Sequence, residues 1–137
     1  MGWFTHLRGD AKGLVTDDNR ERLVQTLSET VRNPQSLDPE SIALAADAED
    51  PELRILAIRA AAASCYAKAT PLCLRLLFDE DDHVIQEAIR ALETVGDLSA
   101  IPHLRRLSYS DDPDIALSAI DAMRSLQSAQ VQTQIAA

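Results

Sequence analysis

The groups with which this chain could do chemistry are three histidines, two cysteines and several carboxylate runs. His6, His83 and His103 would need partners at one-turn spacing to hold a metal on a helix, and no two of them lie three or four apart. His83 and His103 fall at expected helix starts, where a solvated side chain is the ordinary outcome. Cys65 and Cys73 are eight apart, and only Lys68 is close enough in sequence to activate a thiolate. The carboxylates gather as Glu49-Asp50-Glu52, Asp79-Glu80-Asp81-Asp82 and Asp111-Asp112-Asp114. A calcium loop would need a glycine-centred arrangement of about twelve residues, which is absent. Carboxylates ahead of helix N-termini each stabilise them by about 0.3–1 kcal/mol. Four in a row exceed that task, so a basic partner surface against the acidic turns is a further expectation. No Ser/His/Asp order, glycine-rich phosphate loop or isolated carboxylate pair is present. The chain is read as no enzyme, with no metal and no cofactor.

The elements that position these residues follow from composition. At 137 residues the chain has the length of one domain with a modest core. Only five residues are aromatic, and alanine and leucine supply the apolar content, which favours helix throughout. The net charge of −9 repels phosphate backbones and anionic lipid, so neither nucleic acid nor a membrane surface is an expected partner. Two cysteines make no secreted disulfide framework. With no apolar run near the roughly 20 residues that span a bilayer and no signal-peptide or myristoylation pattern at the start, the expected location is cytoplasmic.

A shift of 31 residues lays the chain on itself. Asp50, Asp81 and Asp112 coincide, as do Leu53/Val84/Ile115, Ala57/Ala88/Ala119, Ile58/Ile89/Ile120 and Ala60/Ala91/Ala122. Pro71 falls on Pro102, Ala69 on Ala100, Arg75 on Arg106 and Leu76 on Leu107. Within a copy the spacing is helical: Val84, Ala88, Ala91, Leu92 and Val95 mark one face. Asp50-Pro51, Asp81-Asp82 and Asp112-Pro113 read as caps opening the long helices, and Gly96 as a left-handed stop. Shorter helices are expected over about 39–47, 70–78 and 100–109, capped by Asp38 and Thr70 in the first two. The register sets Cys73 beside Ile42 and Leu104, as a buried small hydrophobe, and Cys65 beside Gly96, as an accessible position.

The stretch from Val84 to Val95, continued by Gly96-Asp97-Leu98-Ser99-Ala100-Ile101-Pro102-His103-Leu104, resembles the short HEAT-like repeats first described in phycobilin lyases. The resemblance covers about 38–126 and implies an all-α fold, a short right-handed α-α superhelix. This HEAT-like solenoid has about three 31-residue helical hairpins (38–66, 67–96, 97–126) plus an N-terminal capping helix. One departure stands out: the family's arginine is present as Arg54, but Ile85 and Ala116 take its place in the next two copies. The family's iron-binding hydroxylases hold metal through His-Glu pairs that are missing here. Its DNA glycosylases use a cationic, aromatic-rich surface, whereas Asp121 interrupts the Arg59/Arg90 column.

Residues 1–37 form an N-terminal segment and capping helix. Asp18 and Glu21 are spaced as a capping box, and Leu23, Val24, Leu27 and Val31 lie on one side over 18–32. Trp3, Phe4 and Leu7 are the expected route to self-association, and 127–137 is a C-terminal tail that extends the last helix or frays. The function expected is a non-catalytic protein–protein interaction module, an adaptor or scaffold. Its partner would dock on the outward rows of the long helices: Arg54, Ile85 and Ala116; Ile55, Gln86 and Leu117; Arg59, Arg90 and Asp121. The alternative is a phycobilin lyase-like or cofactor-handling chaperone subunit, which so few aromatics disfavour.

Overall fold

The computed structural model describes residues 15–64 and 66–136, with side chains through Val131. Trp3, Phe4 and Leu7, and with them the expected route to self-association, lie outside the described residues, as does Cys65. Among the described residues every regular element is helical. The long elements are α1 (Asp17–Arg32), α2 (Pro39–Ala46), α3 (Pro51–Ala63), α4 (Ala69–Leu76), α5 (Asp82–Val95), α6 (Ile101–Leu107) and α7 (Pro113–Ala136). Single 3₁₀ turns at Pro34–Ser36 and Leu98–Ala100 precede α2 and α6. The chain forms two compact units, divided after Tyr66.

In the first unit α3 packs against both α1 and α2. The cap of α1 is not Asp18: the Thr16 hydroxyl accepts the Asn19 amide at 3.4 Å, and Asp17 and Asp18 fall in the first turn, facing the helix dipole. The buried face of α1 is also turned from the expected one, with Leu23, Leu27 and Thr30 inside and Val31 exposed. Thr30 can be buried because its hydroxyl lies 3.1 Å from the Thr26 carbonyl and 3.3 Å from that of Ser36. Arg20 reaches across to α3, pairing with Asp50 Oδ2 at 2.7 Å and Glu52 Oε2 at 3.0 Å.

In the second unit α4 pairs with α5, α6 pairs with α7, and α5 packs on α7. Gly96 adopts φ 76°, the left-handed stop expected at the end of α5. The cap of α4 is Lys68 rather than Thr70, which sits inside the first turn. Thr70 is spent elsewhere. The Ser99 amide, 2.9 Å from Asp97 Oδ1, and then the Ser99 and Thr70 hydroxyls hold the Asp97 carboxyl below its ordinary range. The start of α4 is thereby tied to the turn before α6. The tail past residue 126 is helical, continuing α7 to Ala136.

The alanine columns are core. Ala57, Ala60, Ala88, Ala119 and Ala122 are wholly buried, and Ala91 nearly so. The aspartate caps are equally regular. Asp50 accepts the Glu52 amide, Asp81 those of His83 and Val84, and Asp112 those of Asp114 and Ile115. Asp79 has a separate task, accepting the Asp81 amide at 2.9 Å, and Ser110 does the same for Asp112 at 3.2 Å. Ala48 occupies that column in the first copy and has no side-chain acceptor. There Arg54 is buried and donates through Nη1 to the Ala48 and Glu49 carbonyls, both at 2.8 Å. The turn is thus tied from inside by Arg54, or from its own residues by Asp79 and Ser110. The two devices serve different groups, since Arg54 satisfies carbonyls of its turn whereas Asp79 and Ser110 accept an amide; nothing in the structure explains why 85 and 116 lack the arginine.

Cys73 is buried on α4 as expected, and burial, with the Glu87 carboxylate behind it, pushes its thiol from 9.0 up to about 12. The folded state therefore keeps the proton that the unfolded chain releases above about pH 9. This stabilisation is complete below that pH and is lost as pH rises toward 12. In a Cys65→Ser background, Cys73 should resist a disulfide reagent at pH 8 until denaturant is added. Raising the pH to 10.5 should cost about 1–2 kcal/mol more than in the Cys65→Ser/Cys73→Ala variant. Rapid labelling of the native protein would show that the thiol is open to solvent.

Candidate functional surface

The second unit carries a shallow groove of about 200 Å³ where α5 lies against α7, lined by Gln86, Ile89, Arg90, Glu93, Ser118 and Asp121. Its parts follow from helix geometry. Gln86, Arg90 and Glu93 are spaced by four and three, so one edge of α5 presents all three, and Ile89 behind them is buried and forms the floor. Ser118 and Asp121 face them from α7.

The charges alternate along the groove. Arg90 Nη1 lies 3.6 Å from Glu87 Oε2, within α5, and Arg124 Nη1 lies 3.7 Å from Asp121 Oδ1, within α7. Arg124–Asp121 is an exposed i,i+3 pair worth at most about 0.5 kcal/mol, whereas in Arg90–Glu87 only the arginine is exposed and the carboxylate is largely covered. Their guanidinium groups can turn toward a ligand at small cost. A surface of this kind offers hydrogen bonds and ion pairs of both signs beside an exposed Leu117, but no enclosed cavity. Among the described residues no three His, Cys, Asp or Glu side chains stand close enough to hold a metal ion. His83 is almost fully exposed, 3.6 Å from its own cap Asp81.

Of the nine positions expected to face outward, the structure brings Gln86, Arg90 and Asp121 into this one groove, with Leu117 exposed and Ala116 half-buried on α7. In the first unit Arg59 is exposed and Ile55 half-buried. Arg54 and Ile85 are corrections. Arg54 is 5% exposed and Ile85 8%, so these two side chains point inward and offer a ligand no surface. The apolar face of α5 is broad enough to hold Val84, Ile85, Ala88, Ile89, Ala91 and Leu92 together. Glu93 and Ser118 were missed, although each lies three residues from a named position on the same helix edge. Arg106, on α6, stacks its guanidinium 5.2 Å from the centre of the Phe78 ring, which shields part of that exposed aromatic.

No helix among the described residues is long and apolar enough to cross a membrane. Neither the curated proteins nor the solved structures contain a match to the chain. The model of the HEAT-repeat family matches residues 39–124, well over half of its length. With its helix pairs, capped turns and alanine columns, the chain belongs to the HEAT-repeat family, whose repeats generally mediate protein–protein interaction.

Proposed function

We propose that this protein is a non-catalytic adaptor whose partner docks on the groove between α5 and α7. The observation that carries this reading is the mixed-charge lining itself. Gln86, Arg90, Glu93, Ser118 and Asp121 converge on one open surface, while the neighbouring repeat columns are committed to packing. An open groove with donors and acceptors of both signs suits an extended or helical segment of another protein rather than a small molecule. In the same unit Cys73 is a buried, protonated core thiol, and the Asp81 and Asp112 carboxylates hold the starts of α5 and α7.

The test is capture from the native host with the whole chain as bait, quantified by mass spectrometry. Arg90→Glu with Glu93→Lys reverses the α5 side of the groove at two exposed positions and should leave the melting temperature within about 2 °C of the parent. The protein captured by the parent should fall by at least about tenfold, the loss of one well-made charged contact. Equal capture by parent and variant would move the binding surface off this groove.

A further inference from the structure

The last helix departs from the one before it on the face turned away from the core. α7 buries Ile115, Ala119, Ala122 and Leu126, at spacings of four, three and four. Half a turn away stand Leu117, Ile120, Arg124 and Val131, all exposed. The same positions on α5, read through the 31-residue shift, are Gln86, Ile89 and Glu93. Where α5 is polar outside and apolar inside, α7 adds Leu117, Ile120 and Val131 to an outer face that also carries Asp121, Arg124 and Ser128. Ile89 is 3% exposed beneath α7, whereas Ile120, its counterpart, is 38% exposed, and Leu117 is 58% exposed where α5 has glutamine.

We propose that this outer face of α7 is the contact between two copies of the chain. Charge is the first argument for that occupant. The chain carries a net −9, so most of its surface repels a second copy, yet residues 115–136 hold one aspartate and one arginine and are neutral. Symmetry is the second. A two-fold axis passing near Arg124 runs the two α7 helices antiparallel and sets Leu117 of each copy opposite Val131 of the other. At a rise of about 1.5 Å per residue, the same axis places Arg124 of each copy less than one turn from Asp121 of the other. The pair that closes within one helix at 3.7 Å can therefore exchange partners across the axis, once for each copy. A partner of a different sequence would have to supply this pattern; a second copy supplies it by symmetry.

The proposal goes beyond the groove reading and does not need it, since Arg90→Glu should leave self-association unchanged. Sedimentation equilibrium on the full chain tests it, from about 5 to 300 μM, a range that brackets a micromolar contact. The parent, 15.0 kDa as a monomer, should approach twice that mass with rising concentration. Leu117→Asp with Ile120→Asp should stay monomeric, with an unchanged circular dichroism spectrum. Asp121→Arg alone and Arg124→Asp alone bring like charges across the axis and should each weaken the dimer about tenfold, while the double swap restores it. A parent that stays monomeric throughout overturns the proposal. So does a dimer that survives Leu117→Asp with Ile120→Asp, or single charge swaps that change nothing. Loss of the dimer on replacing Trp3, Phe4 and Leu7 by serine, with retention in the Leu117 and Ile120 variant, would place the contact in the N-terminal segment instead.

Discussion

Replacing Ala88 by arginine should abolish cooperative folding of the second unit. Ala88 has no exposed surface and stands mid-way along α5, flanked on its face by buried Val84, Ala91 and Leu92. Forcing a larger side chain into such a site costs about 1–3 kcal/mol. Stripping water from a guanidinium without a partner adds several more, against a total stability of about 5–15 kcal/mol for a small domain. Thermal melting followed by circular dichroism at 222 nm checks it. The transition should broaden or fall by about 15 °C or more. Melting like the parent's would mean that the alanine columns face solvent and that the helix faces have been assigned wrongly.

Ile85→Asp should rank second in effect. Ile85 is buried against the core of the second unit, and removing it forfeits about 1.5–3 kcal/mol of apolar burial. The carboxylate that replaces it must stay dehydrated or take up a proton, for a combined loss of about 3–5 kcal/mol. Burial raises the pKa of the introduced carboxyl, so the deficit should be largest at neutral pH and shrink below about pH 5. Urea unfolding at pH 7 and pH 4.5 separates these terms. Leu117→Asp, on the exposed face of α7, is the contrasting substitution and should leave the urea midpoint unchanged at protein concentrations low enough to keep the parent monomeric. A neutral Ile85→Asp would put that side chain back on the surface.

The repeat register made the packing columns legible. Leu53/Val84/Ile115 and Ala57/Ala88/Ala119 recur in step because each is buried inside its own unit, where a change in size is felt at once. The caps at 50, 81 and 112 were legible for the same reason, since each must meet the amides of the next helix. Arg54 and Ile85 belong to a row that differs from copy to copy, and such variation does not by itself place a side chain on the surface. Arg54 and Ile85 nevertheless face inward, the first bonding the Ala48 and Glu49 carbonyls and the second packed in the core. Thr16 was overlooked because Asp18 and Glu21 offer a stronger local signal two residues later, and only the backbone shows where α1 begins. The groove was half legible. Gln86, Arg90 and Asp121 follow from helix spacing, whereas the way α7 lies on α5, which adds Ser118, depends on packing between helices.

The two ways of holding the turn before a long helix bear on how such an array can grow. In the first copy the turn residue Ala48 depends on Arg54, while in the later copies Asp79 and Ser110 serve themselves. Duplication of an entire repeat carries both members of the pair and inherits a finished turn. Crossing-over inside the repeat is less forgiving. A breakpoint between positions 48 and 54 that joins the Ala48 turn to the Ile85 helix loses the arginine that clasps the carbonyls and also lacks a side chain to accept the cap residue's amide. That joint leaves the turn with neither device, whereas copying a whole repeat keeps one of them. The unit that can be copied without loss begins at the turn, several residues ahead of the helix it serves.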